Sequence, residues 1–515
     1  MHNTIGREAG PLRGSASRIA VSILAALVLA LAQPPFGLAP LALVALGPWV
    51  FAVRRCGRLE ALVVGAISGT AYGCAIAPWL PAALQTLGSS VPASVAGLVV
   101  TAAWAKAVLF ALLAFLVRAT RTMHVGGTLV PATTGIVVLE LIASRSWWGV
   151  PWGLLGHSQA TVLGVAQLAA VGGVPLVSAL VLAPNVLLGC GSYRSGVCAL
   201  GAWMTLAMAG LPVAERVRPV VSRTPIDLLI VQPAIPRGRR WGYGFQAPNL
   251  HLIASFVDRL PADQLQGAHA VVLPENLLTS PVDARPNLEA ALQRWVDRLG
   301  KPVITGLAMG AREDRGEYRS AAVWLEPEAG IVSRVDKERA VPVVESNRAI
   351  VGQSVLARLF GGAANWSKVE ESRRSFGSLE GSFAVTPVLC YEALFPDIVA
   401  ARRVPGSVAI LNLADDDWVS GDAATYQLTT FATFRAIEQR LNLVRLAHGG
   451  LSVAIDEFGR TLESMPLDRH AAERVSVRSS PPVTPSESAS LLALPFVGVA
   501  GVWWITGFVT RNRRT

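Results

Sequence analysis

Residues 95–117 read VAGLVVTAAWAKAVLFALLAFLV, a run in which Lys106 is the only charge. A helix needs roughly 20 apolar residues to cross about 30 Å of hydrocarbon, and this run satisfies that length. Working outward, comparable stretches lie at 19–34, 38–53, 60–80, 128–144, 162–190, 196–213 and 488–510. The first two are short and are separated by Gln33-Pro34-Pro35-Phe36-Gly37, which reads as a tight turn or re-entrant hairpin. Any one segment taken alone reads equally as a buried core helix, but eight nearly uncharged runs imply a membrane frame of eight helices. The composition agrees: 52% of the 515 residues are apolar and 16% charged, at a mean hydropathy of +0.45. A typical soluble domain carries about 25% charged residues. Five cysteines in this length exclude a disulfide-stapled scaffold.

Arginines in the short loops set the expected orientation. Arg7, Arg13, Arg18, Arg54, Arg55, Arg58, Arg118, Arg121, Arg194, Arg511, Arg513 and Arg514 fall on one side, against Arg145 alone on the other. Both ends are therefore expected in the cytoplasm and the long polar segment 214–485 outside it. Arginines before the first apolar run also suit a signal peptide, but no small-residue cleavage site followed by a polar start is evident. The first helix is expected to be retained. The net charge of +10 is then mostly a topology signal, and no nucleic-acid partner is expected. Lys106 and Glu140 sit inside apolar runs, where ionisable groups are costly and usually paired or functional. Both readings of them stay open.

From Ile226 onward the pattern changes. Short β-rich runs at 226–232, 270–273, 303–306, 321–325, 384–389, 407–412 and 451–455 alternate with helical stretches near 245–260, 284–299 and 422–440. That alternation predicts a layered α/β domain. Ser479–Ser490 reads as a linker to the last helix. The expected domains are thus 1–213 (seven helices), 214–485 (outer domain) and 486–515 (last helix and basic tail).

Few residues of the chain carry chemistry. Gly156-His157-Ser158-Gln159-Ala160 resembles a nucleophile elbow, but it ends in Ala and follows a Trp/Pro-rich segment where the elbow needs a strand. The seven histidines show no metal-ligand spacing, so neither metal nor cofactor is expected. Cys390 is the one cysteine in the outer domain; it follows the apolar run 383–389 and precedes Tyr391-Glu392. It reads either as a buried inert thiol or as a nucleophile at a strand end. Lysine usage adds a hint. Only Lys106, Lys301, Lys337 and Lys368 occur against 41 arginines, so Lys337 suggests a place that needs a compact ammonium.

The ordered set Leu273-Pro274-Glu275-Asn276, then Lys337 with Val341-Pro342 and Glu345, then Leu389-Cys390-Tyr391-Glu392 with Phe395-Pro396-Asp397, resembles the nitrilase (carbon–nitrogen hydrolase) superfamily. Within the expected membrane frame it is similar to the apolipoprotein N-acyltransferases. Further matches are Gln232-Pro233 with Trp241 nine residues after the Gln, Gly149-Val150-Pro151-Trp152, and Asp416 with Trp418. The resemblance implies an α-β-β-α sandwich beneath which the helices hold lipid substrates. It implies Cys390 as nucleophile, Glu275 as general base and Lys337 as the oxyanion's cation, helped by a backbone N–H near Tyr391. Glu345 and Glu392 would support the site, and Trp241 and Trp418 would line the substrate entrance. Each Trp reads equally as a half-buried core residue.

The implied reaction moves an acyl chain from a phospholipid, through a Cys thioester, to the amine of a diacylglyceryl-cysteine lipoprotein. The implied place is the bacterial inner membrane, with the catalytic domain facing the periplasm and the chain expected as a monomer. The sequence departs from the family around the trio. Asp415-Asp416-Asp417-Trp418-Val419-Ser420 stands for Asn-Asp-x-Trp-Phe-Gly, and Val341-Pro342-Val343-Val344-Glu345 for Val-Pro-Phe-Gly-Glu. Ala447-His448-Gly449-Gly450 replaces Thr-Asn-Asn-Gly, and Arg319 replaces an Asn. Two alternatives accordingly stay open: a relative with another acceptor, as in conjugal-transfer operons, or a non-catalytic membrane scaffold.

Overall fold

A computed structural model describes residues 14–146, 149–217, 224–310, 318–341, 376–378, 380–403, 406–419 and 422–479. Glu345, the Val343-Val344 departure, most of the 479–490 linker and the expected helix 488–510 lie outside the described residues. Five helices are long and apolar enough to cross a membrane: Arg58–Ile76, Val91–Ala119, Val125–Arg145, Ala169–Gly189 and Tyr193–Val217. The first two expected spans are shorter, Ser15–Ala30 and Ala39–Val53, so the described residues hold five full-length spans where eight were expected. The loop expected at 81–94 starts instead as a helix, Leu80–Thr86.

Close packing explains how Arg58–Ile76 meets Val91–Ala119. Gly65, Gly69 and Gly73 recur every fourth residue and so share one helix face. A Cβ on Gly69 would lie 2.5 Å from the backbone oxygen of Lys106, so only glycine allows this approach of the neighbouring helix. Lys106 itself sits in a widened π turn, Ala103–Ala107, within that neighbour. It and Glu140 are buried and line one cavity with Tyr72. Glu140 Oε1 accepts the Leu155 N–H at 2.9 Å, which fastens the 149–159 segment to the bundle.

Among the described residues the α/β domain has eleven strands. They are β1 (Ile226–Gln232), β2 (Ala270–Val272), β3 (Val303–Gly310), β4 (Tyr318–Glu326), β5 (Gly330–Asp336), β6 (Ala384–Leu389), β7 (Ser407–Asp415), β8 (Asn442–His448), β9 (Val453–Ile455), β10 (Thr461–Ser464) and β11 (Ala471–Val477). One sheet runs β11-β1-β2-β3-β4-β5 and the other β10-β9-β8-β7-β6. Alternation along β1 sends Leu228 and Ile230 between the sheets and Leu229 and Val231 toward the helices outside. Leu389, Leu411, Leu413, Val444 and Leu446 of the second sheet meet Leu228 and Ile230 in that inner core. Helices Gln246–Val257 and Pro286–Leu299 cover the first sheet, and helix Asp422–Gln439 covers the second. The layers are helix, sheet, sheet, helix. Strands β5, β8, β10 and β11 were not foreseen from the sequence.

Helix Asp422–Gln439 also docks on the membrane helices. Gln427 Oε1 accepts from Trp79 Nε1 at 3.1 Å and Trp152 Nε1 at 2.8 Å. Its Nε2 donates to the carbonyls of Pro34 at 3.0 Å and Ile76 at 2.6 Å. The expected continuous span 162–190 is broken at Gly172 and Gly173, where the backbone leaves the helix. The Val174 N–H freed there is accepted by Glu438 Oε1 at 3.3 Å.

Candidate active site

Three strand ends carry the residues singled out in the sequence. Beyond β2 the chain turns through Asn276 at φ +55°, and Glu275 packs so tightly on β3 that a Cβ at Gly306 would lie 2.6 Å from its Cα. Glu275 Oε1 accepts from Ser320 Oγ at 2.7 Å and from Lys337 Nζ at 3.0 Å. Lys337 directly follows β5, and its own N–H is held by the Ser320 carbonyl at 2.9 Å. Both members of this ion pair are buried. Two residues singled out separately in the sequence thus meet as one ion pair.

Cys390 stands at the end of β6 in the left-handed region, φ +46°, a strained conformation for a residue with a Cβ. Its Sγ donates to the Asp415 carbonyl at 3.8 Å. Asp415 Oδ2 accepts from Asn276 Nδ2 at 3.0 Å, so the thiol and the Glu275 loop belong to one hydrogen-bonded network. Asn412 Nδ2 donates to the Cys390 carbonyl at 3.2 Å, and Asn412 is in turn bonded by Arg445.

Glu392 is a brace. Its carboxylate accepts the N–H groups of Leu389 at 2.9 Å and Glu338 at 2.6 Å, tying the Cys390 turn to the loop that follows Lys337. Arg402 grips the same carboxylate with Nη1 at 2.5 Å and Nη2 at 2.9 Å. Burial works against the Arg402 charge, yet Glu392 and Glu338 outweigh it and raise its pKa. Tyr391 is buried edge-on to Phe395 with ring centroids 5.3 Å apart, and burial pushes its phenol pKa up.

The two tryptophans part company. Trp241 is 38% exposed on the loop after β1. Trp418 is half-buried and meets Trp79 edge-on at 6.3 Å, inside the aromatic cluster that joins the domain to the membrane helices. Two of the departures from the family pattern, Asp415 and His448, also lie at the site. Asp415, opposed by His448 in the β7–β8 register, bonds Arg240 Nη2 at 2.7 Å. Burial would raise Asp415, but the Arg240 guanidinium outweighs it and holds the carboxyl at about 2. Burial and the Arg240 charge keep His448 well below its ordinary value, so its ring is neutral. Sequence reasoning missed Ser320, Arg402, Asn412 and Arg240. Nothing local marks them: an Arg in an Arg-Gly-Arg-Arg run reads as surface charge. Among the described residues no group of three His, Cys, Asp or Glu side chains is arranged to hold a metal ion.

Residues 25–187 match the model of the apolipoprotein N-acyltransferase N-terminal domain. The apolipoprotein N-acyltransferase of Brucella melitensis is 28% identical over 66% of this chain and 66% of its own length. Those of Geobacter metallireducens and Rhodopseudomonas palustris are 25% and 27% identical over 89% and 93% of this chain, and 89% and 92% of their own. Among solved structures, an amidase from Nesterenkonia sp. aligns with 50% of this chain and 93% of its own at 16% identity and TM-score 0.36. The family resemblance read from the motifs is borne out: over most of its length the chain is a sequence relative of the apolipoprotein N-acyltransferases.

Proposed function

We propose that this chain is an N-acyltransferase that moves a fatty acyl chain from a phospholipid, through a thioester on Cys390, to the amine of a diacylglyceryl-cysteine lipoprotein. The observation that carries this reading is the buried Glu275–Lys337 pair, whose chain neighbour Asn276 is hydrogen-bonded through Asp415 to a thiol held at positive φ. Glu275 takes the thiol proton as sulfur attacks the ester carbonyl carbon. The carbonyl oxygen gains negative charge beside Lys337, the ester C–O bond breaks, and Glu275 returns the proton to the departing lysophospholipid oxygen. In the second half the amine attacks the thioester, Glu275 accepts the amine proton, and the C–S bond breaks. The membrane helices would present both lipids to the site, with the outer domain on the periplasmic side of the inner membrane as the loop arginines imply.

Incubation with phospholipid alone should leave an acyl group on Cys390 that hydroxylamine releases, and Cys390→Ala should abolish it. Transfer by Cys390→Ala would sink the proposal. The substitutions at Asp415 and His448, where the family carries amides, favour one second reading: the same thioester with another acceptor. A thioester that no diacylglyceryl peptide discharges would establish it.

A further inference from the structure

Arg240 stands in the run Arg237-Gly238-Arg239-Arg240-Trp241, whose members read as surface residues. Its side chain is nevertheless 0% exposed while Arg239 and Trp241 on either side are in solvent. It bonds two carboxylates, Asp415 Oδ1 at 2.7 Å and Asp417 Oδ2. Its carbonyl accepts from Gln246 Nε2 and from Thr279 Oγ1, each at 3.0 Å. Asp415 reaches two other segments at once: Asn276, the neighbour of Glu275, at 3.0 Å through its carboxylate, and the Cys390 thiol at 3.8 Å through its carbonyl.

An ionised carboxylate away from water must have its lone pairs met, and a buried guanidinium needs a counter-charge. Asp415 meets both demands with bonds of fixed direction, and the carbonyl that receives the thiol belongs to the same residue. His448, which faces Asp415 from β8, adds no charge. Asp417, the other carboxylate on Arg240, is pushed by burial up to about 6 against the pull of Arg240, so Asp415, held at about 2, is the counter-charge that persists when Asp417 takes up a proton. We propose that the Arg240–Asp415 pair is a positioning clamp that sets the Cys390 thiol, the Glu275 loop and the Trp241 loop relative to one another. Thioester formation depends on it although neither side chain reacts. This inference rests on the reading of Cys390 as nucleophile.

The test uses the full chain in detergent with four variants: Arg240→Gln, Asp415→Asn, the double variant, and Cys390→Ala as blank. Three quantities are read: the rate of acyl transfer to Cys390 from phospholipid, the alkylation rate of Cys390 by iodoacetamide across pH, and Tm. Arg240→Gln takes the guanidinium from both carboxylates, and Asp415→Asn leaves it on Asp417 alone. Each single variant should slow thioester formation roughly 30-fold, within the 10²-fold that a 1 Å misplacement can cost. Each should also shift the alkylation pH profile. The double variant removes both charges, retains two amides that can bond each other, and should recover to within about fivefold of wild type. Singles that lower Tm alone, with acylation and the alkylation profile unchanged well below melting, would overturn the clamp. So would a folded double variant as slow as the singles, which also decides the matter if the singles do not fold. If the wild type forms no thioester, the proposed function fails instead, and the alkylation profiles alone judge the clamp.

Discussion

Helix Val91–Ala119 carries Lys106 and Arg118 as its only charges in 29 residues, whereas the strand ends around Cys390 bury Glu275, Lys337, Glu392, Arg402, Asp415 and Arg240 within one small region. The two regions satisfy their polar groups differently. A membrane helix closes its backbone hydrogen bonds within itself, so its side chains need only be apolar and, where helices touch, small. In the sheet domain the buried charges around the thiol depend on partners from other elements that the fold brings to them: Lys337 on Glu275, Arg402 on Glu392, Arg240 on Asp415. Apolar substitutions should therefore be tolerated in the bundle away from the Gly65, Gly69 and Gly73 contact, and single substitutions felt sharply around Cys390.

The largest effect is expected at Lys337. Lys337→Arg keeps the charge but replaces a compact ammonium with a wide planar fork. Thioester formation should fall by about 100-fold or more, the scale of losing one oxyanion donor, with folding preserved. Near wild-type rates would erase the contrast between the regions at its most sensitive point. Glu392→Gln tests whether a pair remote from the reacting atoms is as demanding. Leaving Arg402 short of its buried counter-charge should cost about 3 kcal/mol in chemical denaturation.

Gln427 sits where the two regions meet, so Gln427→Ala sharpens the boundary between them. It strands two tryptophan N–H groups and two carbonyls, and should cost about 2 kcal/mol of thermal stability in detergent. No change would mean that water replaces the side chain and that the docking is loose. Trp241→Ala should lower turnover about tenfold while moving stability by no more than about 0.5 kcal/mol, as for an exposed position. Loss of folding without a separable kinetic effect would make Trp241 a core residue after all.

The smallest effect concerns pH. Burial raises Asp417 to about 6, so between its ordinary value near 4 and 6 the folded state holds a proton that the unfolded chain gives up. Its contribution to stability is complete below about 4 and declines as pH rises through about 6. Asp415 has the opposite sign: its contribution is present above its ordinary value and disappears as pH falls toward about 2. Asp417→Asn should flatten the pH dependence of Tm between 4 and 6 and leave the acid limb unchanged. An unaltered slope in that window would assign it to another group.

The reading of the chain was uneven for a physical reason. Helices Gln246–Val257, Pro286–Leu299 and Asp422–Gln439 fell close to their expected positions. In the first two one buried face repeats every three to four residues, and the third is buried against both the sheet and the membrane helices. Strand β5, which carries Lys337 at its end, went unseen because Gly330–Asp336 includes Arg334 and Asp336 and has no continuous apolar run. Strand β8 went unseen because Arg445 interrupts it; that arginine is buried only because Asn412 of β7 and Asp416, just past its end, meet it. The break at Gly172 and Gly173 was hidden in a run uniform enough to pass for one span.

Sequence alone determined that the chain is built around apolar spans, that a layered α/β domain follows them, and that Glu275, Lys337 and Cys390 come in the order of a known family. Those properties are local, or are carried by spacing along the chain. Tertiary structure decided that Glu275 and Lys337 form a buried pair, that Glu392 and Arg402 brace the Cys390 turn, and that Gln427 joins the domain to the helices. It also turned Arg240 from an apparent surface charge into the partner of Asp415. A buried ion is stable only where its counter-ion lies, and that partner can be 175 residues away.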